Sequence, residues 1–203
     1  MDPVQIIFQI LIILFSVVIH EVSHGVMANS LGDPTAKNLG RLTLNPIKHL
    51  DIFGSILLPL LTVLLGGFIF GYAKPVPYNP YLLRDRKYGP AKIALAGPAS
   101  NLAIALVFGL FLRNLPAGLA TSLLPQLFSQ IIFLNLILAV FNLMPVPPLD
   151  GHWLLLTFLP ARFYAFKNFI LQYGLFLFFI FLFFIFPLIM PLVSWLFRLI
   201  TGI

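Results

Sequence analysis

Long apolar runs separated by short polar or proline-rich stretches set the plan of this chain. The first run covers about Val4 to Leu31, the second Ile52 to Tyr72, the third Ile93 to Leu112 and the fourth Leu127 to Met144. A last one extends from about Phe169 to Ile203. Runs of about 20 apolar residues are long enough to cross the ~30 Å hydrocarbon core of a bilayer as helices, which satisfy their own backbone there. The last stretch is too long for one straight crossing, and Pro187 and Pro191 are expected to break or kink it. Gly54, Pro59, Gly66 and Gly67 interrupt the second run. The connections are a polar loop with Lys37, Arg41 and Lys48, a proline-rich basic stretch from Ala73 to Lys92, a short connector from Arg113 to Pro125, and a moderately polar link after Gly151. No internal repeat is visible.

Composition sharpens this picture. Of 203 residues, 60% are hydrophobic and 9% charged, with 22 Phe, against roughly a quarter charged in soluble domains. A water-soluble fold of this length has no interior large enough for so much apolar surface, so the solvent is expected to be lipid. The expectation is an all-α polytopic membrane protein with four to six membrane-embedded segments, forming one domain over residues 1–203. The formal net charge of +6 does not point to nucleic acid, because the basic residues sit in short loops where Lys and Arg mark the cytoplasmic side. With no Cys, any metal must be held by His, Asp or Glu. The N-terminal run lacks the basic start and small-residue cleavage site of a secretory signal and is expected to be a retained helix.

The chemistry concentrates inside the first run. His20-Glu21-Val22-Ser23-His24 fits H-E-x-x-H. On a helix, residues four apart share a face, so both imidazoles can ligate one zinc ion. Glu21 lies about 100° round the helix from His20 and can reach a water at the metal without being a ligand. There it can act as general base. Ionisable residues within an apolar spanning helix are costly and are functional by default; the competing explanation is a polar contact between helices. A catalytic zinc needs a third protein ligand and an open position. Asp33 reads as a turn residue, Asp51 as a helix cap, and Asp2 and Asp85 as solvated acids. Asp150 follows Pro145, Pro147 and Pro148, which free the backbone to aim a side chain inward, and has the best context. His152 is the rival.

Here the chain resembles a known family. The segment from Asn142 to Gly151 is similar to the N-x-x-P-x-P-x-L-D-G motif of the site-2 protease family of intramembrane zinc metalloproteases, and His20 to Gly25 is similar to that family's first motif. Gly71-Tyr72-Ala73-Lys74-Pro75-Val76-Pro77 and Ala96-Gly97-Pro98-Ala99-Ser100-Asn101 add further likeness, the latter to a G-P-x-x-N segment. The resemblance implies one zinc ion held by His20, His24 and Asp150, with Glu21 as catalytic base. It also implies that Asn142 and Asn101 help hold substrate or the oxyanion of the tetrahedral intermediate; an interhelical hydrogen bond is the competing explanation for each. His152-Trp153 departs from the pattern, where many relatives have a small residue and then Arg. A small prokaryotic-type member is implied, without a PDZ-like or nucleotide-sensing domain.

His20 and His24 lie near the end of the first run and Asp150 near the end of the fourth. Four full crossings would set those ends on opposite sides. If the second run dips in and returns, one side collects Lys37, Arg41, Lys48, Lys74, Arg84, Arg86, Lys87, Lys92, Arg162 and Lys167, and the other keeps Arg113. That asymmetry obeys the positive-inside rule. Loops 32–51, 73–92 and 152–168 are therefore expected to be cytoplasmic and 113–125 external, in a prokaryotic cell membrane. The expected partners are the lipid bilayer and transmembrane protein substrates. A homo-oligomer is compatible with this pattern, and nucleic acid is not expected. A non-catalytic metal-binding membrane scaffold is the alternative function, and a zinc-dependent transporter a third.

Overall fold

The computed structural model describes residues 3–66 and 71–203; Asp2, Gly67 and residues 68–70 of the second run lie outside the described residues. Every regular element among the described residues is a helix, with no strand. Helix α1 spans Pro3–Ser30 and is followed by the short α2, Thr35–Asn38. A π-type turn at Ile52–Leu57 leads into α3, Leu58–Gly66. Then come α4 (Gly89–Arg113), α5 (Leu124–Asn142), α6 (Gly151–Phe158), α7 (Tyr164–Gln172), α8 (Gly174–Ile180) and α9 (Phe186–Thr201). Four of the resulting rods are long and apolar enough to cross a membrane: Gln5–Ser30, Gly89–Arg113, Leu124–Asn142 and Gly174–Thr201. The pair Gly151–Phe158 and Ala161–Gln172, bent by 120°, makes a fifth if counted as one broken span. This is the polytopic all-α architecture expected from the apolar runs.

Helix α1 stops where its sequence says it should. Gly32 adopts φ +104°, the Gly32 N–H donates to the Asn29 carbonyl at 3.1 Å and the Asp33 N–H to the Ala28 carbonyl at 3.0 Å. This paired closure satisfies the last free carbonyls and needs a residue tolerant of the left-handed region. Buried Asp33 then fixes the turn, accepting from the Thr35 N–H at 3.0 Å, from the Thr35 hydroxyl, and from the Asn79 N–H.

The core lies where α4 packs along α5 and α1, with α9 closing the far side. Ala105, Ile132, Leu136, Val140 and Val193 form its centre. Gly109 lets α9 approach α4, since a Cβ there would run into Ile200 Cγ2. A second cluster joins Ala28 to Leu83 and Ile93, and a third joins Leu149 to Phe178 and Phe181. Outward-facing Ile7, Ile10, Leu110, Phe111, Phe176 and Phe184 are exposed, as lipid-facing side chains should be.

The second run has its two ends side by side. The Tyr72 N–H donates to the Gly54 carbonyl at 3.0 Å and the Ser55 hydroxyl to the Tyr72 carbonyl at 2.9 Å. Two expectations need correction. The link after Gly151 is not a simple polar connection but the bent helix pair α6–α7. The final stretch breaks at Tyr173–Gly174, not at its prolines, and Gly174–Thr201 runs as one 28-residue rod. Pro187 falls in the first turn of α9, just after the π-type turn Phe181–Ile185, where a missing N–H costs least. Pro191 sits inside α9 without ending it.

Candidate metal centre

Two helices running in opposite directions build the site. His20 and His24 stand one turn apart on α1, their rings edge to face at a centroid distance of 4.7 Å and an interplanar angle of 86°. Opposite them, α4 presents Ile93, Gly97 and Asn101, again at one-turn spacing on one face. His24 Nδ1 lies 2.7 Å from the Ile93 carbonyl oxygen, and His20 Nδ1 lies 2.6 Å from Asn101 Oδ1. Gly97 sits between these contacts, where a Cβ would collide with the Nε2 atoms of both imidazoles. The absence of a side chain there is what lets two rings fit between the helices.

Asp150 reaches the same point from a position 130 residues away in sequence. Its Oδ2 lies 3.0 Å from His20 Nε2 and 3.3 Å from His24 Nε2. The three ligand atoms all fall within 4.8 Å of one another. Asp150 ends the proline-rich turn between α5 and α6. Gly151 makes that turn possible, because a Cβ there would strike the Leu143 and Met144 carbonyls.

The hydrogen bonds assign the protonation of both rings. A carbonyl can only accept, so His24 Nδ1 carries a proton, and in the neutral ring that metal binding requires Nε2 is the bare nitrogen. For His20 the assignment passes through a buried relay. The Asn135 amide donates to the Ile131 carbonyl and to Ser16 Oγ, both at 2.9 Å. The Asn101 amide donates to Asn135 Oδ1 at 2.8 Å and to the Ser16 carbonyl at 3.4 Å. Asn101 Oδ1 is thus left to accept from His20 Nδ1, and His20 Nε2 is bare as well. Two imidazole lone pairs and a carboxylate oxygen therefore converge on one point. A proton could bridge one pair of these atoms, but a dication satisfies all three. Zinc held tetrahedrally at ~2.0–2.2 Å sets neighbouring ligand atoms roughly 3.3 Å apart, close to the observed 3.0 and 3.3 Å. The residues fit zinc.

Glu21 stands beside this group without joining it. Its Oε2 accepts from the Val76 N–H at 2.9 Å, within an extended segment, 71–79, that crosses the end of α1. Tyr78 of the same segment has its phenol pushed above the ordinary value by burial and by the Asp150 carboxylate.

The other expected residues sit as follows. Asn101 is fully buried with its amide committed to His20, Asn135 and Ser16, so its contacts are those of a positioning residue for His20. The Asn142 amide turns back to the Leu138 carbonyl at 2.9 Å on its own helix. His152 is buried with Nδ1 2.6 Å from the Leu149 carbonyl oxygen and is not among the converging ligands. Asn135 and Ser16 were not singled out in the sequence. Their signal was a polar residue within an apolar run, which Gln9, Gln130 and Ser129 share.

Comparison with known proteins agrees with this geometry. Residues 8–121 and 114–185 match peptidase family M50. "Putative zinc metalloprotease YwhC" of Bacillus subtilis is 40% identical over 161 residues, covering 75% of this chain and 69% of that protein. "Putative zinc metalloprotease Rip2" of Mycolicibacterium smegmatis is 32% identical over 142 residues, covering 68% of this chain and 52% of its own length. "Putative zinc metalloprotease MJ0611" of Methanocaldococcus jannaschii is 35% identical over 99 residues, 49% of each chain. The chain thus spans about half the length of the latter two relatives. No solved structure matches it.

Proposed function

Because this chain belongs to peptidase family M50, we propose that it is an intramembrane zinc endopeptidase, working as one membrane-embedded unit. In this reading His20, His24 and Asp150 hold one zinc ion. The bound ion supplies Lewis-acid chemistry, polarising the scissile carbonyl and acidifying a water. Glu21 takes the proton of the attacking water and delivers it to the leaving amine. Asn101, through Asn135 and Ser16, keeps His20 in the tautomer that ligates. Asn142 is assigned to substrate and oxyanion contact, a role for which its amide leaves Leu138. The observation that carries this reading is the convergence of two bare imidazole nitrogens and Asp150 beside a carboxylate that is not a ligand.

The substrate is the membrane segment of another protein, locally unwound at the cut, since a helical peptide bond is shielded by its own hydrogen bonds. The basic loops set the active site towards the cytoplasmic side of a cell membrane, from which water enters. A cleavage assay with single-pass membrane substrates tests the reading. Glu21→Gln is close to isosteric and cannot accept the proton, so it should keep zinc and substrate binding. It should lose at least the 10²–10⁴-fold that general-base catalysis is worth. If Glu21→Gln cuts as fast as wild type, the base assignment is wrong. If neither cuts while both bind zinc and the same partner, a non-catalytic scaffold is the better description.

A further inference from the structure

The segment Pro75-Val76-Pro77 contains one backbone N–H, because prolines flank Val76 on both sides. That single donor is spent on Glu21 Oε2, at 2.9 Å. The segment around it is pinned at both ends. On one side the Lys74 N–H donates to the His49 carbonyl at 2.8 Å. There Arg41 Nη2 also donates to the Lys74 carbonyl at 2.9 Å and the Pro75 carbonyl at 3.4 Å. On the other side the Asn79 N–H donates to Asp33. Between the pins, buried Val76 packs its Cγ1 over Gly25 of α1, where a Cβ would come within 2.8 Å of it. Arg41 is only 9% exposed. A guanidinium is costly to bury unless its donors are used; here Nη2 closes on the two carbonyls just before Val76, while the buried Nε has no hydrogen-bond partner among the described residues.

We propose that Pro75-Val76-Pro77, clamped by Arg41, is the positioning element of the catalytic base. The Val76 N–H fixes one oxygen of Glu21 and leaves the other to face the water. This rests on the reading of Glu21 as base. A carboxylate on a free side chain samples several rotamers. One held by a donor that cannot itself move keeps the orientation proton transfer needs. The two prolines stiffen the segment that carries the donor, and they leave Pro75-Val76-Pro77 no second N–H that could compete for Glu21. Arg41 acts through this segment, by its bonds to the Lys74 and Pro75 carbonyls.

The test uses the full chain, zinc-loaded in detergent, with a single-pass membrane substrate. Val76→Pro deletes the donor in a stretch already flanked by proline, and Arg41→Met removes the clamp while keeping the bulk of the side chain. Both should lower kcat about 10- to 100-fold, the usual cost of losing an orienting partner. KM and zinc content should stay within about twofold, and Arg41→Lys should recover part of the loss. A purely structural role would instead lower thermal stability without a selective fall in kcat. Independently of folding in those variants, hydrogen exchange resolved at the Val76 amide, apart from those of Lys74, Tyr78 and Asn79, reads the proposed bond. Glu21→Ala should speed its exchange about tenfold or more. Wild-type kcat in Val76→Pro, or a Val76 amide equally protected in Glu21→Ala, overturns the proposal. The two levels separate cleanly. If Glu21→Gln turns over like wild type, the base assignment itself fails and the positioning role falls with it. If Glu21→Gln is inactive while Val76→Pro and Arg41→Met match wild type, only the positioning role fails.

Discussion

At the scale of single residues, the site depends as much on what is missing as on what is present. Gly97 is the clearest case, since any side chain there enters the space of both imidazoles. Gly97→Ala should therefore lower zinc affinity at least 10- to 100-fold, the range seen when ligand orientation is disturbed, while leaving the helices intact. A zinc competition titration alongside circular dichroism checks both halves. Gly118→Ala, in open space, should change neither. The three converging side chains were legible in the sequence, because H-E-x-x-H encodes its geometry in five residues of helix and a proline-rich turn before Asp-Gly is a local signal. Val76, Asn135 and Ser16 were not. Each matters only through a partner brought to it by tertiary packing, and neither an apolar valine between prolines nor a polar residue in a long apolar run announces that partner. Asn101 was visible, but its contacts are with His20, Asn135 and Ser16, which spacing alone does not reveal.

At the scale of elements, the frame is set by close helix approach and by a few buried polar anchors. Gly109 lies against Ile200 where α4 meets α9. Gly109→Ala should cost about 1–3 kcal/mol by overpacking, and Ile200→Ala in the same chain should recover part of it; thermal unfolding of the single and double variants measures this. Asp33 ties the end of α1 to the extended segment. Burial alone would raise its carboxyl, but the hydrogen bonds from Thr35 and Asn79 outweigh this and hold it below the ordinary value of 3.8. A depressed folded-state value means that its stabilisation is present in full above the unfolded value of 3.8 and is lost as the pH falls from there through the folded value. Unfolding titrations should thus show a loss of stability below about pH 4 that is reduced in Asp33→Asn. Helix existence could be read from apolar runs at this scale, but breaks could not. The prolines at 187 and 191 were the obvious candidates, yet the chain bends at Tyr173–Gly174. There Gly174 comes so near the proline turn that a Cβ would lie 2.8 Å from Pro147, a contact no local pattern contains.

At the scale of the whole molecule, the two halves of the proposed metal centre must reach the same depth, and the proposed topology meets this with a second run that returns to the side it left. In that topology the basic loops share one face, the cytoplasmic one by the positive-inside rule. Since the chain has no Cys, single cysteines placed at exposed Asn45, Lys87, Ala165 and Gly118 are unique labels. The first three should react with an impermeant thiol reagent from the cytoplasmic side and Gly118→Cys from the other. Labelling of Asn45→Cys and Lys87→Cys from opposite sides would refute the returning second segment. All of this architecture serves one claim, that His20, His24 and Asp150 hold a single zinc ion. Metal analysis with zinc K-edge absorption on the purified protein tests it most directly. The account predicts one zinc per chain with nitrogen and oxygen ligands only, two of them imidazole at about 2.0–2.1 Å, and loss of that metal in both Asp150→Ala and His20→Ala. Zinc bound with unchanged stoichiometry and ligand shell in Asp150→Ala would contradict it.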